Sequence, residues 1–468
     1  LHFLPIVQLL DCEMRLAAHP NLHYTHSQRV IKSIPRLTLR GVFLTQDLLS
    51  IWAEWIKPSA GLATVQWSVL LALAAAAGHL LQRYTGLPKV IGYSVIGAVA
   101  GFAGFTGAVW PLQGIGLFLL ELGVAVVLFE AGGRIPLRWF KHNPMVLVQS
   151  LLESGLTLVG VYYAMQWMGV RDAVAQPLAM LAMAASPAVL ARVLIDTRAS
   201  GPVSERAMVL STLSTLYALT LCSASAGMMS RGEKVLGPIN LTGSFYPVLV
   251  VLGLSVVVGA VLALVLRTAL RVMSPTSENT AILLLAVIAA GAALAAHFGG
   301  SAPLAALLGG MLLKQLNPRP WSWPRQMGTA SSMLTMLMFV LVSVVAAQAD
   351  WGGPVAALVA ILVAVRVLAK IAGVALGNVG SGASWQQALW VGCAMSPMSS
   401  VPLLLVSTFV VASPVLGKQI ASIALPVILL MEVLGAVLAS VAITRAGESS
   451  RPPKLQIRHP SKGPVHES

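Results

Sequence analysis

The sequence predicts an all-α membrane protein of about 13 transmembrane helices. Its expected plan is an inverted repeat of six plus six spans with a linking helix and two Pro-broken crossing helices. Three observations predict this. Uncharged apolar runs of about 20 residues, each long enough to cross ~30 Å of hydrocarbon, recur almost end to end. Basic residues gather in every second connection between those runs. A Ser-Pro step interrupts one run in each half of the chain, at Ser186-Pro187 and at Ser396-Pro397.

Composition excludes the other classes. Of 468 residues, 57% are apolar and only 10% are Asp, Glu, Lys or Arg, too few charges to cover a soluble surface of that size. Mean hydropathy is +0.83. A helix satisfies its backbone within its own segment, as lipid demands, and the alternating pattern of a membrane β-barrel is absent. A net charge of +14 would suggest nucleic acid in a soluble chain. Here the basic residues lie mainly in loops and tails, so the partner is the lipid bilayer and no nucleic acid is expected. Cys12, Cys222 and Cys393 lie far apart without metal or disulfide spacing, so no metal site, disulfide or cofactor is expected. HExxH, Gly-x-Ser-x-Gly and paired-Asp motifs are missing, which argues against an enzyme.

Residues 1–61 are polar, His-rich and irregular, and they lack the pattern of a signal peptide. They read as an N-terminal extension, or as sequence upstream of a true start near Val42. Residues 62–445 form the transmembrane domain. Residues 446–468 are rich in Pro and charge and read as a disordered tail.

In order, the apolar runs place spans at 64–82, 90–110, 113–132, 144–169, 174–195, 207–229, 246–272, 280–298, 301–316, 328–349, 353–377, 386–411 and 418–443. Odd-numbered connections carry Arg83 and Lys89; Arg134, Arg138 and Lys141; Arg198 and Arg206; Arg267 and Arg271; and Lys314, Arg319 and Arg325. The eleventh has neither Lys nor Arg. Even-numbered ones carry only Arg171, Arg231, Lys234 and Lys418, while the tail adds Arg445, Arg451, Lys454, Arg458 and Lys462. The positive-inside rule therefore places the odd connections and the C-terminus in the cytoplasm and the N-terminus outside. Six basic residues before the first span oppose this, and Lys57 is the one of them that follows Val42. Arg15, Arg29, Lys32, Arg36 and Arg40 precede Val42, which supports a start there. The Ala, Val and Leu content fits a bacterial inner membrane.

The interrupted spans are the fifth, through Ala184-Ala185-Ser186-Pro187-Ala188-Val189, and the twelfth, through Ala394-Met395-Ser396-Pro397-Met398-Ser399-Ser400. They lie an odd number of spans apart, so they cross in opposite directions. Spans one to six then match eight to thirteen, and the seventh joins them. Paired Pro-broken helices point to a transporter's binding site. Proline removes a backbone donor and frees the carbonyl one turn earlier. Unwound carbonyls can ligate a cation, and half-helix ends aim partial charge at the midplane. One such proline reads as a kink; two at matched positions favour function.

An ionised side chain at mid-bilayer costs ~2.5–3.5 kcal/mol, so each one is a candidate. Lys370 stands out in span eleven, on the same helix face as Arg366; snorkelling to an interface is its bland alternative. Glu121 and Glu130 lie in span three, the latter near its cytoplasmic end, and Glu153 lies in span four. Glu432 is well inside span thirteen. Glu121, Glu432 and Lys370 are the candidate proton carriers, with a structural hydrogen bond as the other reading of Glu432. His297, beside Gly299 and Gly300, reads as structural.

These residues resemble the monovalent cation:proton antiporter family, Kef-type branch, over roughly 62–445. Leu87-Pro88-Lys89-Val90-Ile91-Gly92-Tyr93 is similar to that family's Leu-Pro-x-Val-x-Gly-Tyr opening of its second span. Leu120-Glu121-Leu122-Gly123 with Leu128-Phe129 and Gly132 resembles its Glu-Leu-Gly span, although Gly133-Arg134 replaces the final Leu-Glu. Ser186-Pro187-Ala188-Val189 with Arg192 and Val193 resembles its first broken helix, and Ser301-Ala302-Pro303-Leu304 with Leu307 and Gly310 a later Ser-Pro span. Arg366 and Lys370 sit where the family has Arg and Lys.

The resemblance implies a dimerisation panel, a core that moves against it, and two broken helices crossing at the ion site. One departure matters. The family's acidic pair in the span after the first broken helix falls here on Ser214-Thr215, and a Gly-Glu of the second broken helix on Ser399-Ser400. Ser and Thr hydroxyls keep their protons near neutral pH, and Lys370 loses the acid that normally neighbours it. The expected activity is a secondary transporter exchanging Na⁺ or K⁺ for protons by alternating access, with atypical coupling, as a homodimer. Ser186, Pro187, Ser214, Thr215, Lys370, Ser396, Pro397 and Ser400 are the expected ion-binding and translocation residues, with broken-helix carbonyls ligating the solute. The alternatives are a degenerate, non-transporting sensor or assembly subunit, and an anion-coupled exchanger.

Overall fold

The computed structural model describes residues 60–450 apart from 136, 138–139, 141–142, 233–240, 274–276 and 318–324. The N-terminal extension before residue 60, the tail beyond 450, and the loop residues Arg138, Lys141, Lys234 and Arg319 lie outside the described residues.

The described chain is helical almost throughout. Its helices are α1 (Ala60–Thr85), α2 (Lys89–Phe102), α3 (Gly114–Gly133), α4 (Pro144–Trp167), α5 (Asp172–Met183), α6 (Pro187–Thr197), α7 (Pro202–Ser230) and α8 (Leu241–Val272), then α9 (Glu278–His297), α10 (Ala302–Leu316), α11 (Arg325–Ala347), α12 (Gly353–Leu376), α13 (Trp385–Ala394), α14 (Ser400–Ala412) and α15 (Pro414–Arg445). The fifth and twelfth spans are each two half-helices, α5 with α6 and α13 with α14. Counting Asp172–Thr197 as one, 10 stretches among the described residues are long and apolar enough to cross a membrane, and α2, α10 and α14 are shorter apolar helices. Span two ends at Phe102 rather than near 110. Gly104 adopts a left-handed φ of 81° there, and the N–H groups of Gly104 and Phe105 close the last turn onto Gly101 and Ala100.

The packing repeats itself. α2 lies on α11 as α3 lies on α10; α4 meets α5 as α12 meets α13; α7 meets α14 as α15 meets α6. The contact of α4 with α12 maps onto itself. Each correspondence advances the span number by the same step, which is the six-plus-six arrangement with α8 as the joining span. One group of helices, α1–α3 with α9–α11, packs mainly within itself; a second, α4–α7 with α12–α15, surrounds the two breaks.

Within a bilayer, helix association relies on close packing and small residues. Gly310 of α10 faces Phe129 O of α3, and Gly132 of α3 faces Leu307 O of α10; a Cβ on either glycine would overlap the opposing carbonyl. Gly373 of α12 sits equally close to the backbone of Glu153 on α4. The outer surface is correspondingly apolar. Val257, Val261 and Leu264 of α8 and Leu151 of α4 are exposed, positions where lipid and not protein supplies the contact.

The segment read as a tail from Ala446 begins docked. The Glu448 carboxylate accepts hydrogen bonds from Val203 N (2.7 Å), Ser204 N (2.8 Å) and Ser204 Oγ (2.6 Å). It thus satisfies the first-turn donors of α7, where a helix favours negative charge. Ser449 pairs with Ala199 across the same loop.

Gly310→Ala is expected to lower the melting temperature of the purified protein, because overpacking costs about 1–3 kcal/mol. Gly155→Ala on α4 is the control, since its Cβ would meet nothing within 4 Å. There alanine is expected to be neutral or to stabilise by about 0.5–1 kcal/mol. A thermal melt of both variants by size-exclusion fluorescence checks the pair.

Candidate functional site

The two breaks have a local cause. Pro187 and Pro397 lack a backbone N–H, and a proline biases the residue before it towards extended conformation. Ser186 accordingly has φ −106° and ψ 98°, and its Oγ accepts from Val189 N, capping α6. The second break runs over 395–399 between α13 and α14. The breaks meet: Ser186 N donates to Pro397 O at 2.9 Å.

Ending α5 and α13 mid-membrane leaves their last carbonyls without intrahelical partners, at the negative end of each helix dipole. Two cations on α12 reach them. Arg366 donates from Nε to Ala182 O (2.9 Å), from Nη2 to Ala184 O (2.7 Å), and from Nη1 to Ser396 O (2.6 Å). One guanidinium therefore binds both breaks. Lys370, one turn further, donates to Met183 O (2.9 Å) and forms an ion pair with Glu153 of α4. Lys370, Glu153 and Arg366 are all fully buried.

Several expectations change here. Lys370 does have an acid beside it, although the acid comes from span four and not from the span after the first break. Glu153 belongs to a buried polar stripe of α4, Gln149, Glu153 and Thr157 at helical spacing, with Ser150 and Ser154 alongside. Ser154 Oγ donates to Glu153 Oε2 at 3.1 Å. That stripe was the missed signal, together with the fact that spans four and eleven are mates in the repeat. Six of the carbonyls at the breaks, among those expected to ligate a solute, already accept protein hydrogen bonds. Those of Ala182, Met183, Ala184 and Ser396 are taken by Arg366 and Lys370, that of Pro397 by Ser186, and that of Ala185 by Thr215 Oγ1 at 2.5 Å.

Thr215 thus braces α7 against the first break, its single hydroxyl proton shared between Ala185 O and Ser211 O, the latter at 2.7 Å. Ser214 donates within its own helix, to Ser211 O at 3.1 Å. Ser400 opens α14 and is buried. Glu121 is exposed on α3 and does not join the residues around the breaks. Glu432 does join them. It is fully buried on α15, its Oε1 accepts from Ser94 Oγ of α2 at 2.8 Å, and Gly435, one turn on, lies against Pro397 with no room for a Cβ.

A cavity of about 140 Å³ leads towards the first break. Its walls include Pro187 and Arg192 of α6, Glu130 of α3 with Arg134 just beyond that helix, and Ser331 and Thr335 of α11. Glu130 pairs with Arg134 at 2.6 Å and accepts from Ser331 Oγ at 2.8 Å, while Arg192 donates to Ser332 at 3.1 Å. The cavity lies where the two groups of helices face each other, at the end that bears Arg134.

Comparison with known proteins adds the following. The family model described as sodium/hydrogen exchanger, transmembrane, matches residues 68–444. A structure of the sodium proton antiporter MjNhaP1 from Methanocaldococcus jannaschii at pH 8 is similar, with TM-score 0.57 at 14% identity over 82% of this chain and 98% of that one. A second structure of the same antiporter, from an electron-microscopy map, gives TM-score 0.51 at 17% identity, over 90% of this chain and 100% of that one. At such identities the likeness concerns the fold. No curated protein matches the sequence.

Removing one member of the Glu153–Lys370 pair leaves the other buried and unpaired, at an expected cost of about 3–5 kcal/mol. The double variant Glu153→Leu with Lys370→Met removes both charges and is expected to recover most of that loss. Thermal unfolding of the two single variants and the double checks it, and additive losses would refute a direct pair.

Proposed function

The chain belongs to the sodium/hydrogen exchanger transmembrane family, and from that premise we propose that it exchanges a monovalent cation, Na⁺ or K⁺, for protons by alternating access, as a Kef-type member. The observation that carries the proposal is the fully buried Glu153–Lys370 pair beside the crossing breaks.

Antiport needs one place where a cation and a proton exclude each other. A carboxylate held by an ammonium supplies it. An incoming cation takes Glu153 Oε1 from Lys370 Nζ, and the displaced lysine releases one proton to water. In reverse, a proton binds the free amine, the ammonium regains the carboxylate, and the cation leaves. Burial makes the exchange strict, because either charge left unpaired in hydrocarbon is costly. The coupling is atypical in its residues: the acid is supplied by α4, and Ser214 and Thr215 serve the helix scaffold. With Glu153 beside it, Lys370 gives no reason to prefer an anion.

The cavity lined by Pro187, Arg192 and Glu130 supplies the approach from one side. It lies between the group that holds the breaks and the α3–α11 wall, so sliding one group along the other opens or closes it. Glu130 and Arg192 are its first charged contacts. In this reading that end faces the cytoplasm of a bacterial inner membrane, the N-terminus lies outside, and the chain works as a homodimer.

In proteoliposomes with an internal pH dye, pulses of Na⁺, K⁺ or Li⁺ are expected to drive proton flux. Glu153→Gln and Lys370→Ala are each expected to cut the rate at least about tenfold, the equivalent of about 1.4 kcal/mol. Folded protein that answers no cation would favour the non-transporting reading.

A further inference from the structure

The two breaks share a backbone plan but differ in chemistry. The first is surrounded by Arg366, Lys370 and Glu153. The second shares Arg366 through Ser396 O, but is otherwise met by hydroxyls and one carboxyl, and that carboxyl is not used in the exchange described above. Glu432 reaches the second break from α15, the repeat mate of α7, from which Thr215 braces the first.

Glu432 makes no ion pair among the described residues. The cations of α12 are turned away from it: Arg366 to the carbonyls of Ala182, Ala184 and Ser396, Lys370 to Met183 and Glu153. Arg192 of α6 reaches Ser332. The groups that face the carboxyl are Ser94 of α2 and Ser399 at the head of α14. Ser399 Oγ lies within reach of the carboxyl but forms no well-aligned hydrogen bond with it, and Glu432 Oε2, Ser399 Oγ and Ser396 Oγ are all fully buried. Buried polar oxygens are rarely left unpartnered, and each such group in a folded protein calls for an explanation. A carboxylate in that position cannot stand alone; it has to hold a proton or a cation.

We infer that Glu432, with the hydroxyls of Ser94 and Ser399, forms a second ion site, which holds either one proton or one small monovalent cation. All of its donors are oxygens, the ligand type of hard cations. A single carboxylate balances a single positive charge, which selects a monovalent over a divalent ion. The first turn of α14 adds partial positive charge beside the carboxyl, so the proton can leave when a cation replaces it. The step balances: the protonated carboxyl and the cation give a carboxylate–cation pair and a proton released to water. The role of this site in transport rests on the antiport reading. The existence of the site does not.

The test uses the full chain, purified in detergent under weak buffering, with lithium, sodium and potassium chloride added and choline chloride as control. Proton release on cation addition is recorded with a pH dye. In the wild type, release is expected from two sites. Glu432→Gln, which keeps the shape, is expected to remove about half the amplitude, and Ser399→Ala to raise the half-saturating cation concentration about tenfold or less, the equivalent of up to about 1.4 kcal/mol. Glu153→Gln with Lys370→Met is expected to leave the Glu432-dependent half in place.

Wild-type release and half-saturation retained in Glu432→Gln would overturn the inference, as would loss of all release in the Glu153/Lys370 double variant, or no release in the wild type. Flux in proteoliposomes separates the two proposals. Antiport that survives Glu432→Gln with unchanged proton release sinks the second site alone. Glu432-dependent release from a chain that moves no cation sinks antiport and leaves the site.

Discussion

Breaking a helix inside a membrane exposes backbone groups to a medium that cannot solvate them. Here two helices break at one level, so carbonyls from both half-helix ends converge, each at the negative end of a dipole. Arg366 is the answer to that geometry. Its planar fork spans carbonyls of both breaks at once, which a lysine, as a single point charge, cannot do. With Arg366 in place the crossing is fixed, Lys370 lands one turn further along the same face, and Glu153 is the counter-charge that its burial requires. The ion pair thus follows from the breaks, and the breaks from two Ser-Pro steps.

Holding that arrangement needs backbones in contact. Gly373 lets α12 approach α4 at Glu153, and Gly435 lets α15 approach Pro397. The glycines set how far each charged side chain stands from its partner, so they belong to the site as much as to the packing. The same device works outside the core, where Gly132 and Gly310 interlock α3 with α10.

The spans, the repeat and the positions of both breaks were legible in the sequence, because each depends on local signals: run length, loop charge, and a proline with its extended neighbour. Lys370 was legible because a lone cation in an apolar run has no cheap explanation. Its partner was not. Glu153 and Lys370 are joined only when α4 and α12 pack, and reading Ser214-Thr215 as the family's acid position drew attention to the wrong span. The spacing of Gln149, Glu153 and Thr157 held that information, but a polar helix stripe acquires meaning only when the opposing helix is known. The partners of the break carbonyls were hidden for a related reason. The sequence shows that the carbonyls are freed, while only the fold shows that Arg366, Lys370, Thr215 and Ser186 take them up. Glu448 behaves likewise, since its caps on Val203 and Ser204 lie hundreds of positions away in the chain.

The residue types also constrain the electrical side of the proposed cycle. Arg366 keeps its charge throughout, offset by the half-helix ends of α5 and α13, each carrying roughly half a negative charge. At Glu153 a cation replaces an ammonium that gives up one proton. At Glu432 a cation replaces a proton on the same oxygen atoms. In both places one unit of positive charge is exchanged for another, so the moving helices carry the same charge whichever ion is aboard. The membrane potential acts on each charge moved across it, by about 2.3 kcal/mol per 100 mV. On exchanges that leave the carried charge unchanged it does no net work, and the two concentration gradients alone set the direction.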